Sequence, residues 1–152
     1  MKNNLKFSYL GKQPYQDTYK DMKEHIQNFS SNQIWMLEHD AVFTLGTAAD
    51  ESHIINAGQI PVIQTDRGGE VTYHGPGQLV IYFLIDIKEI KLGPKALVQK
   101  LQELISSILC HYDIESSFIE GAPGVYVDDK KIASIGLRIS QGKTYHGISI
   151  NV

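Results

Sequence analysis

The chain has one cysteine in 152 residues, no polybasic block and no long hydrophobic run, and each absence removes a class of protein. A single thiol, Cys110, excludes an internal disulfide framework and a cysteine-rich zinc site, and fits a reducing, cytoplasmic setting. Lys and Arg number 14 against 17 Asp and Glu, a net charge of −3, so the footprint of a nucleic-acid-binding protein is missing. The longest apolar run, Leu79 to Ile85, is far shorter than the roughly 20 residues that cross a bilayer, so no membrane partner is expected. Met1 to Lys6 holds no apolar leader segment. The histidines lack His-x-x-x-His spacing, and no Gly-rich phosphate cradle occurs, so neither a metal nor any other cofactor is expected.

What is present has an ordinary globular composition, 42% hydrophobic and 20% charged, which at this length suits a single domain over residues 1–152. No repeat, charge block or Ser/Pro-rich linker divides it. From Pro14 to Phe29, apolar residues at Tyr15, Tyr19, Met22, Ile26 and Phe29 alternate steps of four and three, which predicts an amphipathic helix. A second helix, Pro94 to Leu109, carries Leu97, Leu101, Leu104, Ile105 and Ile108 as its stripe. Most other segments read as strands: 6–10, 34–39, 42–45, 61–64, 71–73, 79–85, 117–120, 124–127, 131–139 and 144–152. Leu79–Ile85 is apolar on both faces and belongs in the middle of a sheet. Asp128-Asp129 and Gln141-Gly142 mark hairpin turns. These elements predict an α+β fold, a mixed β-sheet with amphipathic helices packed mainly on one face. Ile148, Ile150 and Val152 keep alternating to the last residue, an ending expected of a chain that continues.

The most informative stretch is Arg67-Gly68-Gly69-Glu70-Val71-Thr72-Tyr73-His74-Gly75-Pro76-Gly77-Gln78-Leu79. Glycines serve where backbone must take positive φ or approach something closely, and consecutive N–H groups in such turns form oxyanion-binding concavities. Arg67 adds a fixed charge, and His74 a group that exchanges a proton near neutral pH or simply anchors a turn. Ser134-Ile135-Gly136 and Gly147-Ile148-Ser149 pair small residues with one aliphatic each. That pattern serves tight strand packing or leaves an apolar slot in which each buried methylene contributes about 0.8 kcal/mol. Strand alternation places Lys131 with Ala133, Ile135, Leu137 and Ile139 on the covered face and Lys130 on the other. His146 is read as a wall of the same pocket in preference to the alternative, a core residue. Cys110 falls opposite the stripe of its helix and is read as a free, non-catalytic thiol, since adjacent His111 cannot face it.

The run Arg67–Leu79 resembles the signature of the lipoyl(octanoyl) transferases. Lys130-Lys131-Ile132-Ala133-Ser134-Ile135-Gly136 resembles that family's Lys-Ile-Ala-x-x-Gly segment, and Tyr145-His146-Gly147-Ile148-Ser149-Ile150-Asn151-Val152 its Tyr-His-Gly-x-x-x-Asn-Val segment, in the same order. Leu37-Glu38-His39 and Phe43-Thr44-Leu45-Gly46 match more loosely. The resemblance implies a biotin/lipoate ligase-like fold and transfer of an octanoyl group from octanoyl-acyl carrier protein to a lysine of lipoyl domains. The implied acceptors are those of 2-oxoacid dehydrogenases and the glycine cleavage H protein. It implies that Lys131 is catalytic and that Arg67 to His74, Ser134 to Gly136 and Gly147 to Ser149 contact substrate. The family's nucleophile is a cysteine in an Asn-Pro-Cys-Gly turn after the Asn-Val pair, and no such turn is among these residues. Two rivals remain: a non-catalytic acyl-binding pseudoenzyme, and a lipoate-protein ligase-like enzyme, which would need ATP and an adenylate loop not seen here.

Overall fold

The computed structural model describes residues 5–152. Met1–Asn4, part of the stretch read for a leader, lie outside the described residues. Strands β1 (Lys6–Gln13), β2 (Gln33–His39), β6 (Gln78–Leu84), β7 (Ser117–Ile119), β8 (Ala122–Val127), β9 (Lys130–Ser140) and β10 (Lys143–Asn151) form one seven-stranded sheet. Its order is β1-β2-β6-β10-β9-β8-β7, parallel only between β1 and β2. A second, three-stranded sheet holds β4 (Val62–Gln64), β3 (Val42–Leu45) and β5 (Val71–His74), in the order β4-β3-β5. The division into two sheets leaves no local mark in the sequence, because β3 and β5 are ordinary short strands whose partner is set by chain crossing.

Helices α1 (Tyr15–Gln27) and α3 (Pro94–His111) lie on opposite faces of the large sheet; the short α2 (Ile87–Ile90) precedes α3. Met22 and Ile26 of α1 pack on Leu37, Val80, Tyr82, Leu84 and Tyr145. Leu97, Leu101, Ile105 and Leu109 of α3 pack on Phe83, Ile85, Val125, Ala133, Ile135 and Ile148. This corrects the expectation of helices mainly on one face. The two-sided apolar character of β6 already demanded a cover on each side, since an exposed Phe83 or Leu84 would forfeit about 2 kcal/mol of burial. The stripe of α3 is also corrected. Leu104 and Ile108 are exposed, and Leu109 is buried in their place.

Two-residue turns build the last hairpins. Asp128 and Asp129 take φ of 48° and 62°, and Gln141 and Gly142 take 52° and 81°, the mirror-image geometry that matches strand twist. The second turn sets β9 against β10 with Ile135 opposite Ile148. The strand β10 is buried through Ser149, and Val152 is exposed.

A bulge overturns the parity expected for Lys131. Val125 pairs with Ala133 but Tyr126 pairs with Lys131, so Ile132 is an extra residue in β9. One inserted residue exchanges the faces of everything beyond it. Lys131 therefore stands with Ser134 and Tyr126, opposite Ala133 and Ile135. Lys130 pairs with Val127, which packs toward α3.

Candidate active site

The glycine run is a loop pinned between the two sheets. The Gly68 N–H donates to the Leu137 carbonyl of β9 (3.1 Å), and Gly69 O accepts from the Ala48 N–H (3.2 Å). A Cβ on Gly46 would sit 2.1 Å from Gly69 O, so this close approach is open only to glycine. Gly136 serves the same purpose from the other side, where a Cβ would meet Gly68 O at 2.9 Å. Gly75-Pro76-Gly77-Gln78 closes as a turn with Gly77 at φ 87° and a Gln78 N–H to Gly75 O bond of 3.1 Å. This is the type II pattern of Pro followed by Gly.

Arg67 lies beneath this loop rather than reaching into open space. Its Nε donates to Thr44 Oγ1 (3.2 Å), Nη1 to Gly68 O (3.0 Å), and Nη2 to Thr44 O, Thr44 Oγ1 and Glu70 O (2.8 Å each). Only 6% of the residue is exposed. Burial draws the guanidinium pKa down, but it stays charged and places a buried positive centre under the groove. Among the described residues, the Gly69 and Glu70 N–H groups donate to no protein atom.

The groove above the loop measures about 960 Å³. All eight residues from Arg67 to His74 line it, as do Ser134 to Gly136, Gly147 to Ser149, Lys131 and Asn151. The sequence-predicted residues therefore converge on one concavity. The small residues work differently from the slot first inferred. At Gly136 the missing side chain is replaced by Gly68 O, and at Gly147 a Cβ would lie 2.0 Å from Ile81 O. Close backbone approach, not open space, requires those glycines. Cys110 is exposed on α3 and does not line this groove.

His74 is buried at the end of β5, with Nδ1 2.6 Å from Gln78 Oε1. Gln78 Nε2 donates to Tyr73 O (3.1 Å) and Asn151 Oδ1 (3.0 Å), which fixes Oε1 as the acceptor and Nδ1 of His74 as the donor. Burial pushes the His74 pKa down to about 4, so at neutral pH it presents an uncharged imidazole. The Tyr15 ring stacks on it at 5.9 Å. Tyr15 also lines the groove, and its hydroxyl is the one buried side-chain polar atom without a hydrogen-bond partner among the described residues.

Asp66, Tyr145 and Tyr15 were missed by sequence reasoning. Tyr145 and His146 are adjacent on a strand and should face opposite sides, yet the Tyr145 hydroxyl donates to Asp66 Oδ2 (2.5 Å) and His146 Nε2 to Asp66 Oδ1 (3.0 Å). His146 takes φ 60°, which breaks the alternation and turns both side chains to one carboxylate. No pattern in the sequence reveals a left-handed histidine inside a strand. His146 borders the groove, and burial keeps it below its ordinary pKa despite Asp66. Burial acts to raise Asp66, but bonds from His146, Tyr145 and Tyr19 outweigh it and hold the carboxyl well below its ordinary value.

A depressed carboxyl pKa stabilises the fold above the unfolded-state pKa, and that contribution fades as pH falls toward the folded value. The stability gap between the parent and Asp66→Asn should be level from pH 6 to 8 and narrow below about pH 4. Denaturant unfolding across that range checks it; a gap that widens in acid would refute the linkage.

Among the described residues no group of three or more His, Cys, Asp or Glu could hold a metal ion, and no helix is long and apolar enough to cross a membrane. Comparison with known proteins places this architecture. The family described as the lipoyl protein ligase A/B catalytic domain matches residues 16–152. An octanoyltransferase of Shewanella halifaxensis is 49% identical over 153 residues, covering 99% of this chain and 70% of that protein. Among solved structures, a lipoate-protein ligase A bound with ATP superposes with a TM-score of 0.68 at 14% identity, covering 100% of this chain and 67% of the other. A biotin acetyl coenzyme A carboxylase synthetase from Helicobacter pylori superposes with a TM-score of 0.65 at 13% identity, covering 98% and 62%. At such identities the structures speak for the fold alone, the biotin/lipoate ligase-like α+β architecture.

Proposed function

Because the chain belongs to the lipoyl protein ligase A/B catalytic-domain family, we propose that its groove is the acyl site of an octanoyltransferase acting in protein lipoylation. The donor is octanoyl-acyl carrier protein, and the acceptor is a lysine of a lipoyl domain. The observation that carries this reading is the convergence of the Arg67–His74 loop, Ser134–Gly136, Gly147–Ser149 and Lys131 on one groove. Asn151, first residue of the Asn-Val pair that the family pattern sets ahead of its cysteine turn, lines the same groove.

The chemistry follows in two balanced steps. A thiolate from that cysteine turn attacks the donor thioester, forming an acyl-enzyme and releasing the carrier thiolate, which takes up a proton. The acceptor lysine, as the free amine, attacks the acyl-enzyme; the amide forms, the C–S bond breaks, and the amine proton passes to the sulfur. Lys131, as an ammonium, favours the thiolate over the thiol. The unpartnered N–H groups of Gly69 and Glu70 suit the oxyanion of each tetrahedral intermediate. Ile135, Ile148, Val71 and Val80 supply apolar lining for the chain of methylenes. Neutral His74 suits a hydrogen-bonding contact at the reacting end.

Protein that includes the cysteine turn, given octanoyl-acyl carrier protein, should gain one hydroxylamine-labile octanoyl group by intact mass and pass it to a lipoyl domain without ATP. Cys110→Ser should retain that activity, and the 152-residue chain alone should acquire no adduct. Transfer that depends on ATP would favour the ligase reading. An adduct on Cys110 would reverse the assignment of that thiol.

A further inference from the structure

We propose that Gly124 and Tyr126 of β8 are positioning residues for Lys131, a cradle that holds its ammonium at the groove. The inference rests on Lys131 being the charge beside the reacting thiol, and adds what fixes that charge in place.

Lys131 is exposed and forms no ion pair among the described residues. A flexible stem of four methylenes without a partner would sample many rotamers, and a wandering charge would not bias one thiol. Three features confine it. The Ile132 bulge puts Lys131 directly across from Tyr126, with no residue between them in the pairing. Gly124 then leaves room for the stem. A Cβ there would lie 3.1 Å from Lys131 Cε and 3.2 Å from Cδ, tighter than side-chain packing normally allows. Its φ of +152° also disfavours other residues. Finally, Lys131 Nζ sits 5.5 Å from the centroid of the Tyr126 ring, within cation–π range.

The cradle is itself braced. Tyr126 is buried, with its hydroxyl donating to Ala122 O at 3.2 Å. Gly124 O accepts from Gln102 Nε2 of α3 at 2.9 Å, which ties the strand to the helix behind it. The ring face favours the charged ammonium without neutralising it, whereas a carboxylate in the same place would cancel the field that the thiolate needs.

The test uses the protein containing the cysteine turn and follows alkylation of that cysteine against pH, together with steady-state transfer. Tyr126→Leu removes the ring face and should raise the alkylation midpoint and slow attack at pH 7 about threefold to tenfold. The loss should fall on kcat with KM little changed. Tyr126→Phe keeps the ring face, losing only the hydroxyl bond to Ala122 O, and should recover most of what Tyr126→Leu loses. Gly124→Ala should behave like Tyr126→Leu; because its methyl also meets Ala133 O at 2.6 Å, the Tyr126 variants decide the matter if it does not fold. Adding Tyr126→Leu to Lys131→Ala should cost nothing further, since the group being positioned is gone. If Lys131→Ala moves the midpoint and Tyr126→Leu does not, the cradle is overturned while Lys131 keeps its role. If Lys131→Ala itself leaves the midpoint in place, both fall.

Discussion

Replacing Lys131 by alanine in the protein that carries the cysteine turn should lower octanoyl transfer by about two to three orders of magnitude, whereas Lys130→Ala should stay within about twofold of the parent. The contrast comes from the bulge in β9. Lys131 lies on the groove side beside Ser134 and Tyr126, and Lys130 on the opposite side across from Val127. The two lysines are adjacent in sequence, so any general effect of surface charge would reach both. An effect specific to Lys131 requires the local geometry. Losing the ammonium raises the thiol pKa and leaves less thiolate at neutral pH, so the deficit should shrink as pH rises past the unperturbed thiol pKa of about 8.5. Single-turnover acylation measured from pH 6 to 9.5 checks this. Equal losses for the two variants, or a deficit independent of pH, would refute it.

Arg67→Met should cost about 3 to 5 kcal/mol of folding stability and abolish transfer, while Arg67→Lys recovers only part of either. The guanidinium is a donor to Thr44 O, Gly68 O and Glu70 O, and it has no carboxylate partner among the described residues. Methionine keeps the apolar stem and volume but removes the guanidinium donor from buried Thr44 O and half-buried Gly68 O, at about 1 to 3 kcal/mol each, and leaves Glu70 O only the Gly46 N–H at 3.3 Å. Lysine keeps the charge but cannot reproduce the planar fork that reaches β3 and the loop together. The Gly68–Gly69 loop should then loosen, so limited proteolysis should cut there first. Equilibrium unfolding in urea measures the stability change; a loss under about 1 kcal/mol would show that water readily replaces the arginine.

Much of the fold was readable along the chain because its causes are local. The steps of four and three in Tyr15, Met22 and Ile26 fix the buried face of α1, and Asp128-Asp129 and Gln141-Gly142 announce turns that need positive φ. The two-sided apolar run of β6 required a place inside the sheet. The glycine-rich run from Arg67 to Gly77 likewise marked a loop pressed against other backbone, and Gly46, Gly136 and Gly147 meet backbone of distant segments. Residue types thus disclosed where close approach occurs.

The sequence could not disclose what the approaching parts are or which way neighbouring side chains turn. Strand alternation is a local rule with a period of two, and a single extra residue inverts everything beyond it. Ile132 does so in β9, exchanging the faces of Lys130 and Lys131. In β10 no residue is inserted and the pairing stays in register, but the positive φ of His146 turns its side chain locally and sends two adjacent side chains to Asp66. Both departures cost backbone energy that nothing nearby in sequence repays; the compensation comes from Tyr126, Gly124 and Asp66, partners held by other strands. The same holds for Arg67. Its type announced a charge, but only Thr44, Gly68 and Glu70 folded around it make it an internal brace. Composition and period settle where elements form, because those depend on neighbours a few residues away. The direction of a functional side chain is settled by contacts between residues far apart in the chain, and these exist only once the sheets have closed on one another.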